Sequence, residues 1–308
     1  MRLRRGGERM KPGRFTYHAP RTVADALAVL GEHAGDAKVL AGGQSLMPLL
    51  NFRVSEPGHL VDINRLPDLS EPVRTATGWH VPALVRQRAV ERSAALSGAF
   101  PLLEAALHEV AHPQIRNRGT LCGSLAHADA AAELPTVVTA LDGRLRIASP
   151  RGERTVAAED FFVFHLTTAL ADDELLLGVD LDDLPAGTTT SFHEFAGRRG
   201  DFALAAVAGQ ATRDATGVVT RCRLVAAGVG STPLRLRAAE EGLLGARLDD
   251  SALAAAARAA AHEARPTGDV HASAGYRRDL VATLTRRVLA DIAAAVPTSV
   301  PTEELTHA

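Results

Sequence analysis

Two stretches of this 308-residue chain bring glycine together with small hydroxyl-bearing residues. One is Ala41-Gly42-Gly43-Gln44-Ser45, followed by Leu46-Met47-Pro48. The other runs from Arg116 to Ser124 and carries Gly119-Thr120-Leu121-Cys122-Gly123-Ser124 ahead of an Ala-rich run. An anion lying against backbone needs converging N–H groups and side chains small enough to admit it. Glycine meets both needs, and a helix starting just beyond adds the positive end of its dipole. Either loop could cradle a phosphate or pyrophosphate, or could serve only as a turn. Ser45 is the expected N-cap of the helix after the first loop, and Pro48 fits its first turn. Two such loops suit an extended ligand with two polar regions, such as a dinucleotide. No GxGxxG follows a strand, so a Rossmann site is not supported. The lack of GxxxxGK followed by Ser or Thr removes P-loop NTPases.

Around the second loop stand His112, His127 and Asp129. The histidines read as ligand neighbours or as packed side chains, and Asp129 as a ligand contact or the N-cap of the next helix. Cys122 and Cys222 are too few for a disulfide framework, a four-Cys zinc site or an iron–sulfur cluster. Any electron carrier is therefore organic or sits on another chain. A formal net charge of −2 and a pI near 6.6, without a basic stripe, argue against nucleic acid as a partner. No run approaches the roughly 18 apolar residues of a spanning helix. The opening MRLRRGGERM lacks the apolar region of a signal peptide, so a cytoplasmic location is expected. With hydrophobic residues at 46% but aromatics at 4%, the core is expected to be mainly Ala, Leu and Val.

The elements that must position these loops are legible in outline. Thr22 precedes apolar residues at helical spacing over 22–34, and Lys38-Val39-Leu40 and residues 59–63 read as strands. Helices are expected over 88–97 and 101–110, the second closed by Pro113, and over an Ala-rich stretch through Leu141. Strands follow at 144–147, 175–181, 188–194, 203–212 and 218–228, the last two joined by Asp214-Ala215-Thr216-Gly217. Three helices near 237–244, 250–264 and 274–294 close the chain. The class is α+β, with a domain boundary expected near 185–190.

Several motifs taken together resemble a known family. They are Phe15-x-Tyr17-x-x-Pro20, Ala41-Gly42-Gly43-Gln44-Ser45-Leu46, Leu60-Val61-Asp62-Ile63, the run from Ile115 to Asp129 and Gly200-Asp201-Phe202-Ala203. Pro233-Leu234-Arg235, Tyr276-Arg277-Arg278 and Arg286-Arg287-Val288-Leu289 extend the likeness toward the C-terminus. Across about residues 11–292 the chain resembles the FAD-binding medium subunit of molybdenum hydroxylases, the carbon monoxide, xanthine and aldehyde dehydrogenase group.

That resemblance implies a two-subdomain FAD-binding domain of the PCMH (vanillyl-alcohol-oxidase-like) type over 10–186, divided into about 10–66 and 67–186. It further implies a C-terminal domain over 189–294 with a small antiparallel sheet and three helices, and loose tails at 1–9 and 295–308. It implies non-covalent FAD with its pyrophosphate on Leu40, Ala41, Gly42, Gly43, Gln44, Ser45, Leu46 and Met47, beside Thr120, Leu121, Cys122, Gly123 and Ser124. Asp129 and Glu133 would meet the ribityl, ribose or adenine portion, and Val110 and Leu175 would supply apolar contacts. Phe192 stands where a relative's tyrosine covers the isoalloxazine ring, and His193 near a position some relatives fill with lysine. No catalytic acid–base pair and no metal ligand are implied in this chain. The implied partners are a small subunit with two 2Fe–2S clusters and a large subunit with the molybdenum cofactor, in a dimer of heterotrimers. Electrons would pass from those clusters through FAD to NAD, oxygen, a quinone or another acceptor. Two departures stand out. Cys122 replaces a usual glycine, which would cost about 1–2 kcal/mol if its φ had to be positive, and otherwise is a small thiol in an ordinary conformation. Pro82 replaces a glycine in a strand and turn. Two other readings stay open from the sequence: a stand-alone flavin oxidase on this fold, and a scaffold that has lost FAD.

Overall fold

A computed structural model describes residues 11–295. The expected tails at 1–9 and 295–308 therefore lie outside the described residues except for Ala295. The first unit comprises β1 (Thr16–His18), α1 (Val23–Glu32), β2 (Ala37–Leu40), α2 (Leu46–Asn51) and β3 (His59–Asp62). Its three strands are parallel in the order β1-β3-β2, with both Tyr17 and Lys38 beside Leu60. Parallel neighbours need crossovers, which α1 and the α2 segment supply. Thr22 Oγ1 accepts the amide of Asp25 at 3.1 Å, and α1 buries Ala26, Leu27 and Leu30.

The second unit opens with β4 (Val73–Arg74) and β5 (Gly78–Pro82). It continues through α3 (Gln87–Arg92), α4 (Ala94–Ala99), α5 (Pro101–Glu109), α6 (Pro113–Arg118), α7 (Leu121–His127) and α8 (Glu133–Ala140). Then come β6 (Arg144–Ser149), β7 (Gly152–Ala157), α9 (Ala158–Phe161), β8 (Phe162–Phe164), β9 (Thr167–Thr168) and β10 (Leu175–Asp182). Its main sheet is antiparallel in the order β4-β5-β10-β6-β7. The helix expected over 88–97 is two helices, because Ser93 leaves helical conformation and its Oγ caps α4 through the Leu96 amide at 3.3 Å. Pro113 does not close a helix but opens α6, where its missing N–H costs nothing. The expected loop from Arg116 to Ser124 is mostly helical, leaving only Gly119-Thr120 between α6 and α7. The Ala-rich stretch through Leu141 is likewise interrupted, by Ala128 at φ 53°.

The third unit is an antiparallel sheet, β11 (Thr188–Ala196), β12 (Ala203–Arg213), β13 (Val219–Ala227) and β14 (Leu234–Arg235), in sequential order. Asp214 Oδ1 fixes its central turn by accepting the amides of Thr216 and Val218 at 2.8 and 3.0 Å. Helices α10 (Arg237–Leu243), α11 (Asp250–Glu263) and α12 (Ala274–Ala294) follow. Val207, Leu224, Val281, Leu284, Val288 and Ile292 share its core. Ala208 and Val225, on the same sheet, belong instead to the core of the second unit. Helix α8 is buried along its whole length, and Gln210 Nε2 donates to Ala140 O across the junction at 2.6 Å. The cores are mostly Ala, Leu and Val, with Phe100 and Phe161 as fully buried aromatics. Among the described residues no helix is long and apolar enough to cross a membrane.

Candidate functional site

The first glycine loop joins the end of β2 to α2 and lies backbone to backbone against the α6–α7 junction. A Cβ on Gly42 would stand 2.5 Å from Arg118 O and 2.8 Å from the Gly119 Cα, so no other residue fits without moving the loops apart. Gly43, at φ +72°, turns the chain into α2 in the left-handed region that glycine enters freely. Ser45 precedes α2 but is itself helical in φ and ψ and makes no side-chain cap, contrary to its expected role. The amides of Gly43, Gln44, Ser45 and Leu46 have no hydrogen-bond acceptor among the described residues. Four successive unpaired donors are what an oxyanion needs.

Side chains tie the two loops together. Asn64 Nδ2 donates to Ala41 O at 2.9 Å, and Asn64 Oδ1 accepts Arg86 Nη2 at 2.6 Å. Arg86 Nη1 then donates to Arg118 O at 2.5 Å. The Gln87 amide donates to Gly119 O at 2.9 Å and the Leu121 amide to Val85 O at 3.1 Å, anchoring the second loop to the 85–87 segment. Thr120 Oγ1 caps α7 through the Gly123 amide at 2.9 Å. Below it Arg116 is buried, bonded to both Glu91 oxygens at 3.0 Å and to Val110 O at 2.6 Å. Charge-assisted bonds of this bidentate kind fix a guanidinium rigidly.

Cys122 lies inside α7 at 3% exposure, with its thiol against Val81 O at 3.7 Å. Its φ is not positive, so the strain weighed for this position is absent. Burial pushes the thiol up to about 12, leaving it protonated and unreactive at neutral pH. Asp129 is not the N-cap of α8, a place taken by Ala132. Its Oδ1 instead accepts the Ala131 amide at 2.9 Å in a local turn.

Between the loops runs a cavity of about 440 Å³, within the range of ligand pockets. Ala41 through Leu46, Val110, Thr120, Cys122, Gly123, Ser124, Asp129, Glu133 and Leu175 all line it. Glu133 is 8% exposed, and burial, with Asp129 and Glu109 adding like charge, pushes its carboxyl up to about 7. On β11 the half-buried Glu194 has an Oε2 without a partner, and burial followed by repulsion from Glu133 and Glu109 pushes it up to about 8. His127, also on the lining, is held below its usual value by burial.

A family profile described as the FAD binding domain in molybdopterin dehydrogenase matches residues 13–182. A second, the CO dehydrogenase flavoprotein C-terminal domain, matches residues 190–292. The chain belongs to the FAD-binding medium subunits of the molybdenum hydroxylase family. It is 43% identical over 281 residues to the 6-hydroxypseudooxynicotine dehydrogenase complex subunit alpha of Paenarthrobacter nicotinovorans, covering 91% of this chain and 95% of that protein. Its fold matches a carbon monoxide dehydrogenase structure from Hydrogenophaga pseudoflava with a TM-score of 0.89 and 35% identity, over 92% of this chain and 98% of that one. Quinoline 2-oxidoreductase from Pseudomonas putida 86 matches with a TM-score of 0.87, also at 35% identity, over 92% and 98%. These relatives are oxidoreductase subunits, and this chain is an FAD-binding subunit of that kind.

Within this medium subunit the observed residues fit FAD. The unpaired amides of 43–46 suit a pyrophosphate, and Gly42 permits the close approach of the two loops that a Cβ would prevent. Not every residue read from the sequence reaches the groove. Leu40, Met47 and Leu121 flank its lining without joining it. Phe192, partly buried, packs against the cores beside β11 and does not line the groove. His193 points to the other face of β11, as strand alternation requires, where its Nε2 meets Asp291 Oδ2 at 2.7 Å. Leu166 and Leu170 also line the groove. The family motif Gly200-Asp201-Phe202, a loop of the C-terminal unit, lines one side of the cavity, with Phe202 63% exposed. No local pattern marks the two leucines, which reach the groove only through the path of the chain after β8.

Proposed function

We propose that this chain is the FAD-carrying electron-transfer subunit of a three-component, cytoplasmic molybdenum hydroxylase. Its partners on this reading are a small 2Fe–2S subunit and a large molybdopterin subunit, assembled as a dimer of heterotrimers, with NAD, oxygen or a quinone as terminal acceptor. The observation that carries it is the row of unpaired amides at 43–46, held against the Gly119-Thr120 junction in a mainly apolar groove. Bound FAD supplies the exchange between single-electron and paired-electron transfer, and the protein supplies binding, orientation and exclusion of water.

In this proposal the 43–46 amides hold the pyrophosphate, while Asp129 and Glu133 take hydroxyl groups of the ribityl, ribose or adenine portion. A neutral Glu133 carboxyl can donate as well as accept, so it suits a hydroxyl better than a phosphate. Val110 and Leu175 press on apolar parts of the ligand. The test is the visible spectrum of the purified chain, and of the complex co-expressed with its partners, after incubation with FAD and desalting. Near-stoichiometric flavin is expected in wild type and little in Gly42→Ala, whose Cβ would push the loops apart. Equal flavin in both, or none in the intact complex, would overturn the assignment. Reoxidation of the reduced complex by NAD, oxygen and a quinone in turn identifies the acceptor.

A further inference from the structure

Three histidines far apart in sequence meet at one edge of the first unit, outside the groove. His18 ends β1, His59 begins β3, and His33 follows the last turn of α1. Thr16 sits beside His59 in the parallel register, so His18, two residues on, shares the sheet face of His59. His18 Nε2 and His59 Nδ1 are 2.9 Å apart. The His33 ring stacks on that of His59 with centroids 3.5 Å apart and planes 14° apart, and lies 5.7 Å from the ring of His18. One nitrogen from each of the three lies within 4.8 Å of the other two. All three are half-buried, and none lines the flavin groove.

The backbone holds this arrangement independently of the rings. The His33 amide donates to Val29 O at 3.1 Å, the Asp36 amide to His33 O at 3.0 Å and the His59 amide to Asp36 O at 3.2 Å. Asp36 Oδ1 also accepts the Gly58 amide at 2.8 Å. Only one hydrogen bond joins the three imidazoles, between His18 and His59, and the nearest carboxylate, Glu32, is 4.0 Å from His33 Nε2. Imidazole nitrogens are ligands of zinc, copper and nickel, whereas calcium and magnesium require oxygen. Zinc–nitrogen bonds of about 2.0–2.1 Å put tetrahedral ligand atoms roughly 3.4 Å apart. The hydrogen-bonded pair would open by a few tenths of an ångström, and the His33 ring would turn out of its near-parallel stack on His59 to bring its nitrogen in from within 4.8 Å.

We propose that His18, His33 and His59 form a binding site for a divalent transition-metal ion of the zinc class, with its fourth position open to solvent. The ion would staple β1, the end of α1 and β3 together, and its binding is independent of the flavin. The test uses the full flavin-loaded chain with any affinity tag removed, stripped with chelator and titrated with zinc chloride by calorimetry and metal analysis. One zinc per chain is expected, with a rise in Tm. His33→Ala, outside the sheet, and His18→Ala should each weaken zinc binding by at least about tenfold. Both should keep their flavin, which reports folding in the same sample. Lowering the pH from 7.5 to 5.5 should release the ion, because histidine ligands must be deprotonated. Substoichiometric zinc in wild type, or zinc binding unchanged in both variants, would overturn the proposal.

Discussion

At the scale of single residues, environment decides more than residue type. Cys122 replaces a glycine expected in the family, yet it occupies an ordinary helical position with its thiol against β5. Cys122→Gly is therefore expected to leave the flavin spectrum and affinity unchanged and to lower stability by about 0.5–1 kcal/mol, the cost of glycine inside a helix. Native protein should also resist thiol alkylation until unfolded, since burial pushes the Cys122 and Cys222 thiols up to about 12. Glu194 gives a pH signature. Its folded form keeps a proton up to about pH 8, whereas an unfolded glutamate releases it near the ordinary value of 4.5. Between those values the folded state binds more protons, so stability present at low pH is lost as pH rises through the window. Glu194→Gln should match wild type in Tm near pH 5 and exceed it by a few degrees at pH 8.5, as measured by thermal melts in the absence of added flavin.

At the scale of elements, the loops work because other segments hold them. The side chains of Asn64 and Arg86 link Ala41 O to Arg118 O across both loops without themselves lining the cavity. Arg86→Ala should weaken FAD binding by about tenfold, or about 1.4 kcal/mol, the worth of one charge-assisted hydrogen bond. Titration of flavin-free protein with FAD measures it, and an unchanged affinity would show that the loops hold their spacing alone. Helices with local signals were legible: Thr22 caps α1 through the Asp25 amide as read, and α11 and α12 lie where expected, with Asp249 and Ser273 as caps the structure adds. The break at Ser93 has a local signal in its cap of α4, whereas the one at Ala128 lies in an Ala-rich run whose helical propensity is the same on either side.

At the scale of the whole molecule, the C-terminal unit completes the flavin domain. It covers α8, contributes Ala208 and Val225 to the neighbouring core and brings Gly200–Phe202 over the groove. A chain ending at residue 186 would leave one side of α8 uncovered. Such a fragment is expected to lose its cooperative thermal transition and its retained FAD. A sharp melt with bound flavin would show instead that the first two units fold alone.

The sequence by itself determined what depends on neighbours a few residues away. The glycine pairs, the Thr22 cap, the Asp214 turn and the family motifs are all local, and the motifs taken together carried the family and the cofactor. Only the tertiary structure decided which residues face the groove. It set His193 on the far side of β11 and Phe192 against the core, and it raised Glu133 and Glu194 chiefly by burying them, with smaller repulsions from neighbouring carboxylates. It also gathered His18, His33 and His59 from three separate elements. Burial and the approach of distant charges or ligand atoms arise from packing between segments remote in sequence, which no local pattern encodes.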